Sequence, residues 1–330
     1  MSLLEIEDLT KHFPLGGSWF SKSRTIQAIR GVSLTIEPGE TLGLVGESGC
    51  GKSTLARCAL KLLEPTSGRV LFEGRDILSL PETELRRARR DMQIVFQDPY
   101  SSLNPRKRVG DIVREGLDIH EIGTTTERRE RTVELLEAVG LKSAHLSSYP
   151  HEFSGGQRQR IVIARALAVG PKFVVADEAV SALDVSIQAQ ILNLFLELQR
   201  SMNLTYLFVS HNLHVVRHVS DRVAVMYLGR IVETASAAEI YSNPQHPYTQ
   251  ALLSAALLPE PGQRRSYVPL GGDVPSPIDP PQGCAFRARC PVAMRDCANE
   301  DPALRFTGSH GVACLRVAAT SMTPQAALAT

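Results

Sequence analysis

GESGCGKST at Gly46–Thr54 decides how this chain is read. Gly46, Gly49 and Gly51 leave backbone N–H groups free to converge on phosphate oxygens. Lys52 adds a point charge for the outer phosphates, and the Ser53 hydroxyl can complete a Mg²⁺ shell. Glu47, Ser48, Cys50 and Thr54 make up the rest of the loop. The flanks are those this chemistry needs. The short apolar run Thr41–Val45 predicts a strand entering the loop. Leu55, Cys58, Ala59 and Leu62 have the spacing of one buried helix face leaving it. A plain glycine turn would leave the Lys-Ser pair without a purpose. Cys50 sits at the helix N-terminus, a position that lowers a thiol pKa, so alkylation is expected to block nucleotide binding.

Two further segments follow in order: FSGGQ at Phe153–Gln157 and FVVADE at Phe173–Glu178. Asp177 closes an apolar strand, where a carboxylate is costly unless a cation stands near; Mg²⁺ supplies that partner directly or through a bound water. Glu178, one residue on, is placed to orient and deprotonate an attacking water. A structural salt bridge would explain either carboxylate alone, but not the pair after such a loop.

Composition bounds the rest. The 330 residues exceed the usual size of one core, so a main domain with an appendage is expected. A net charge of +1 gives no global field for nucleic acid or an anionic membrane. No apolar run reaches the roughly 18 residues of a membrane span, and the start, MSLLEIEDLT, lacks the basic-then-apolar layout of a secretory signal. A cytosolic protein is expected, with any pore belonging to other chains.

Along the chain, strands are predicted at Leu3–Leu9, Ala28–Ile36, Thr41–Val45, Val70–Phe72, Met92–Phe96, Val174–Ala176, Leu204–Val209 and Val223–Met226. From about Pro99 to Arg165 the pattern is mostly helical, with one helix ending around Val139 and Gly140. The fold class is therefore α/β, a core interrupted by a helical insert. The run RRARR at Arg86–Arg90 reads as a solvated helix face. After about Ser242 the composition shifts. Pro259 to Pro281 is rich in proline and glycine and reads as an extended connector, and the last dozen residues as frayed. Cys284, Cys290, Cys297 and Cys314 crowd the C-terminal end, which in a reducing compartment points to metal or cofactor ligation more than to disulfides.

The order of these segments resembles the ATPase subunit of an ABC transporter over about residues 3–256, with the insert at about 99–165 and a C-terminal extension over 257–330. The resemblance implies a P-loop cassette of α/β core, antiparallel β subdomain and helical insert, and it implies ATP and Mg²⁺ as ligands. Gln97 is similar to the Q-loop glutamine that senses Mg²⁺ and faces the membrane subunit. Ser154, Gly155, Gly156 and Gln157 match the signature turn, which in the family caps the γ-phosphate of ATP held by the opposite subunit. SALD at Ser181–Asp184 matches the D-loop, and His211 the switch histidine. Phe13 is the candidate for stacking on adenine, with Trp19 and Phe20 as competitors. Phe153 stands where Leu is commoner, and Ala179 where Pro is; neither removes a charged or hydrogen-bonding group, so a competent site is expected. The other histidines, His246 and His310 among them, read as structural or merely exposed.

DPYSSLNPR after Gln97, YPHEFSGGQ before the signature helix and NPQHPYTQALL after the core resemble the oligopeptide/dipeptide importer ATPases. The DVSIQAQ run resembles the second of their two ATPase types. The family implies two membrane permease subunits, a second homologous ATPase and an external peptide-binding protein, with this chain peripheral on the cytoplasmic face. Importers of nickel, glutathione or sugars share much of the pattern. A soluble ABC protein acting on DNA or ribosomes would carry two cassettes or a long coiled-coil insert, and neither is visible. The four clustered cysteines are separated by five, six and sixteen residues, without close Cys-x-x-Cys pairs. Spacing alone leaves an iron–sulfur cluster, zinc and free thiols open; the family resemblance implies a [4Fe–4S] cluster, holding together an appendage too short for its own core.

Overall fold

The computed structural model describes residues 2–15, 24–256 and 271–317. Trp19, Phe20, the first half of the connector and the C-terminal tail lie outside them. In chain order the elements are β1 (Leu4–Leu15), β2 (Arg24–Ile36), β3 (Thr41–Val45), α1 (Lys52–Ala59), β4 (Ser67–Phe72), β5 (Arg75–Asp76), α2 (Glu82–Asp91) and β6 (Met92–Val95). The helical insert follows as α3 (Pro99–Ser102), α4 (Val109–Ile119), α5 (Thr125–Ala138) and α6 (Gly155–Leu167). The chain then returns to the sheet through β7 (Phe173–Asp177), α7 (Val185–Met202), β8 (Thr205–Ser210), α8 (Leu213–Val219), β9 (Arg222–Tyr227) and β10 (Arg230–Ser236). Helices α9 (Ala237–Ser242) and α10 (Pro247–Ala256) precede the extension, which carries β11 (Arg305–Thr307) and β12 (His310–Val312).

Two sheets organise the molecule. One is antiparallel, in the order β2-β1-β4-β5; the other has eight strands, in the order β11-β12-β10-β9-β3-β8-β7-β6. Its centre, from β9 through β3, β8 and β7 to β6, is parallel. Strands β3, β7 and β8 are buried along their whole length, which is why they read as continuous apolar runs. Alternate residues feed two cores. Val174, Ala176, Phe208 and Val225 face the helical insert and α7. Phe173, Val175, Leu207 and Leu44 face α1 and the antiparallel sheet.

Helix α1 is shorter than its apolar spacing predicts. It ends at Ala59, Lys61 turns into left-handed backbone with φ 48°, and Leu62 is 47% exposed instead of buried. The described part of the connector, residues 271–281, forms no helix or strand. The extension is not a separate lobe. Strand β12 pairs with β10, and Ala285 and Phe286 are buried in the main core. Among the described residues no helix is long and apolar enough to cross a membrane.

Candidate functional site

The phosphate loop joins β3 to α1, so its backbone lies at the carboxyl end of the parallel sheet, where open α/β sheets place their ligands. Gly51 is a position only glycine can fill: its φ is 110°, and a Cβ there would stand 2.3 Å from the Ala28 carbonyl oxygen. Lys52 is buried, and its ammonium donates to the carbonyls of Gly46 (2.9 Å) and Glu47 (3.0 Å). The neighbouring cleft, about 490 Å³, is lined by the loop from Ser48 to Thr54 together with Phe13, Gln97, Glu178 and Pro277. A cavity of similar size between the two sheets, about 500 Å³, contains none of the expected site residues.

Strand β7 delivers the carboxylates. Ser53 Oγ donates to Asp177 Oδ1 at 2.8 Å, across 124 residues of chain. Burial pushes the Asp177 carboxyl above the usual range, with the Ser53 bond and the Arg57 charge opposing it. Glu178 lies in left-handed backbone, φ 51°, a conformation costing a non-glycine residue on the order of 1 kcal/mol or more. Its surroundings fix it there: its N–H donates to Val209 O at 3.0 Å, and its own carbonyl accepts from Ser181 Oγ at 3.0 Å. Its carboxylate Oε1 lies 3.3 Å from Nδ1 of His211, which is half exposed. Gln97 Nε2 donates to Ser181 Oγ at 3.2 Å, linking the segment after β6 to the turn after β7.

Cys50 departs from the sequence expectation. The thiol is buried, 5% exposed, and burial raises its pKa despite the nearby Lys52 and the helix N-terminus. Desolvation of a thiolate here outweighs the Lys52 charge and the backbone N–H groups that favour it.

The signature turn stands apart. Ser154 caps α6, accepting from Gln157 N while Gln157 Oε1 accepts from Ser154 N. None of Ser154–Gln157 lines the cleft of this chain, and neither does Asp184, the N-terminal cap position of α7. Phe13 does line it, under Lys11 at 5.0 Å from the ring centroid.

The C-terminal cysteines converge on a second, small chamber of about 20 Å³, lined by Cys284, Cys290, Cys297 and Cys314 with His246 and Phe286. Burial pushes the Cys284 thiol up to about 11 and raises Cys290, and the neighbouring thiols add to both shifts. His246 and His310 are buried, with His310 Nε2 at 2.7 Å from Glu233 Oε1.

Several residues at the site were invisible in the sequence. Tyr248 Oη accepts from Glu47 N at 2.9 Å, Arg289 binds the Glu47 carboxylate, and Pro277 walls the cleft. Tyr248 lies within the NPQHPYTQALL stretch, which marked a family and not a contact. Nothing local singles out Arg289 or Pro277.

Comparison with known proteins places this geometry. Residues 29–181 match the family model described as ABC transporter, and residues 232–297 the one described as Oligopeptide/dipeptide transporter, C-terminal region. The chain is 52% identical to the oligopeptide transport ATP-binding protein AppF of Bacillus subtilis, over 95% of this chain and 97% of that protein. It is 49% identical to the dipeptide transport ATP-binding protein DppF of Escherichia coli, over 96% and 94%. Among solved structures it resembles the dimeric bacterial ABC transporter cassette MJ0796, with TM-score 0.63 and 30% identity, over 71% of this chain and 98% of that one.

Proposed function

The chain belongs to the ATP-binding subunits of the peptide ABC transporters, and from that premise we propose that it hydrolyses ATP to power import of oligopeptides or dipeptides. One observation carries the catalytic reading. The carboxylate that ends β7 and the one just after it stand at the phosphate loop, Asp177 bonded to Ser53 and Glu178 lining the cleft, while the Ser154–Gln157 turn stays outside it. A single protomer thus offers the cradle for one nucleotide and the cap for another. Two such subunits, this one and a near twin, would close two ATP molecules between them and part after hydrolysis.

In that arrangement the glycine loop and Lys52 bind the phosphates, and Phe13 stacks on adenine. Ser53, Asp177 and Gln97 would hold Mg²⁺. The donor set fits: a hydroxyl bonded to a buried carboxylate whose burial cost a cation offsets. Bound there, the ion neutralises charge on the phosphates. Glu178 orients the attacking water and takes its proton, with His211 beside it and Gln97 tied to it through Ser181. The signature residues Ser154, Gly155, Gly156 and Gln157 and the D-loop Asp184 serve the partner's nucleotide. Glu178→Gln in the assembled complex is expected to lower ATP turnover by about 100-fold or more while ATP still binds. Turnover at the wild-type rate would remove Glu178 from the chemistry.

Along the chain we divide the ATPase domain, about 3–256, from the connector and four-cysteine extension, 257–330, although the two pack together. The four cysteines are a soft, all-sulfur donor set suited to a [4Fe–4S] cluster. Among the described residues no three His, Cys, Asp or Glu side chains are grouped to hold one metal ion. What supports a bound group over scattered free thiols is that all four cysteines line one chamber. Iron and acid-labile sulfide in anaerobically purified protein are expected at about four each per chain; stoichiometric zinc would refute the cluster. Membership of this family supports membrane permease subunits and a substrate-binding protein as partners; we propose two permeases and a second homologous ATPase, with this chain peripheral on the cytoplasmic face of the membrane. Uptake of labelled peptides by the complex distinguishes peptide cargo from nickel or glutathione.

A further inference from the structure

We propose that the cysteine extension is a working part of the nucleotide site, and that Arg289 is the residue through which it neutralises Glu47, the anion within the phosphate loop. Arg289 closes a single 3₁₀ turn, Arg287–Arg289, immediately before Cys290. Its side chain is 4% exposed. Nη1 donates to Glu47 Oε2 at 2.7 Å, Nη2 to Glu47 Oε1 at 2.9 Å, and Nε to Gly271 O at 3.2 Å. This is the paired geometry in which a guanidinium holds a carboxylate most rigidly. It joins residues 242 apart in the chain.

Glu47 is gripped at its other end as well. Its N–H donates to Tyr248 Oη, and the Tyr248 ring centroid lies 5.4 Å from that of Phe286, which also lines the thiol chamber. The Glu47 carbonyl is in turn an acceptor for the Lys52 ammonium. Where Glu47 sits therefore sets where the lysine sits. A third contact lies across the cleft: Pro277, from the connector, lines it and accepts from Gln27 N at 2.9 Å.

Charge gives the contact its function. Glu47 places an anion next to the Ser48–Thr54 stretch that lines the cleft, and an uncancelled like charge beside it opposes binding of polyphosphate. Arg289 cancels that charge from outside the loop. The extension therefore acts on ATP affinity without touching the reacting atoms.

The inference rests on the assignment of the Gly46–Thr54 loop as the nucleotide site. ATP affinity and steady-state kinetics of the full chain in its transporter complex test both, with Lys52→Ala as the control for the site itself. Arg289→Ala is expected to raise KM and Kd for ATP about tenfold, the scale of a lost charge-assisted pair, with kcat at saturating ATP within about twofold. Arg289→Ala combined with Glu47→Gln is expected to recover most of that loss, because the charge that needed cancelling is gone. A purely structural role would make the double variant no better than Arg289→Ala. Unchanged affinity in Arg289→Ala, or no recovery in the double variant, overturns the proposal. Lys52→Ala that binds ATP as well as the wild type would instead overturn the site.

Discussion

Cys50 shows how two rules of thumb compete at one side chain. Its position at the start of α1 and its nearness to Lys52 both favour the thiolate, and sequence reasoning stops there. The fold adds the third term: the sulfur is buried beneath the loop, where a Cβ on Gly46 would stand 2.8 Å from it. Desolvation outweighs the attractions and raises the pKa. Cys58, on the same helix, is pushed up to about 11 by burial. Neither thiol should react at neutral pH in the folded protein. Iodoacetamide is expected to modify Cys50 and Cys58 far more slowly than a small free thiol at pH 7, and at ordinary rates after unfolding. The thiolate fraction, and with it the rate, rises only as pH climbs above the free-thiol value of about 8.5. Rapid labelling of native Cys50 at pH 7 would mean that the loop opens freely.

At the scale of elements, the contact of α6 with α7 fixes the direction in which the signature turn points. Gly156 is buried in the first turn of α6, and a Cβ there would lie 2.5 Å from Ile187 Cγ2. That atom belongs to a β-branched side chain with little freedom to swing away. Gly156→Ala is expected to destabilise the chain by about 1–3 kcal/mol, the cost of overpacking a close helix contact. Adding Ile187→Ala should return part of it, read as a recovery of the denaturation midpoint. Equal destabilisation in both backgrounds would show that the two helices do not depend on this contact. The elements themselves were largely legible in sequence because their signals are local. The apolar run of β3, the glycines and Lys-Ser of the loop, and the buried face of α1 lie within some twenty residues. The end of α1 was not legible: Leu62 continues the apolar spacing, yet the backbone has already turned at Lys61. Periodicity registers which side chains could face a core and says nothing about where the chain must leave it.

At the scale of the whole molecule, a proline-rich connector followed by clustered cysteines reads naturally as an appendage hung on a finished cassette. Its composition supports that reading, but its contacts do not. Strand β12 covers the edge of β10, Phe286 lies 2% exposed against Tyr227 and Tyr248, and Arg289 holds Glu47. No pattern in the intervening chain could reveal these pairings, because they are set by how residues 271–317 fold back and not by spacing. They make a firm prediction for a chain that ends at Ala256. An independent cassette would keep its melting temperature and its nucleotide affinity. Here the truncated chain leaves the Tyr227 and Tyr248 rings without their aromatic neighbour, β10 with an unpaired edge prone to association, and Glu47 with an uncancelled charge. Loss of Phe286 from the core alone should cost about 3–5 kcal/mol. The truncated protein is therefore expected to melt well below the full chain, to aggregate on warming and to bind ATP more weakly. If a soluble fragment of residues 1–256 matches the full chain in both melting temperature and ATP affinity, the extension contributes nothing to either.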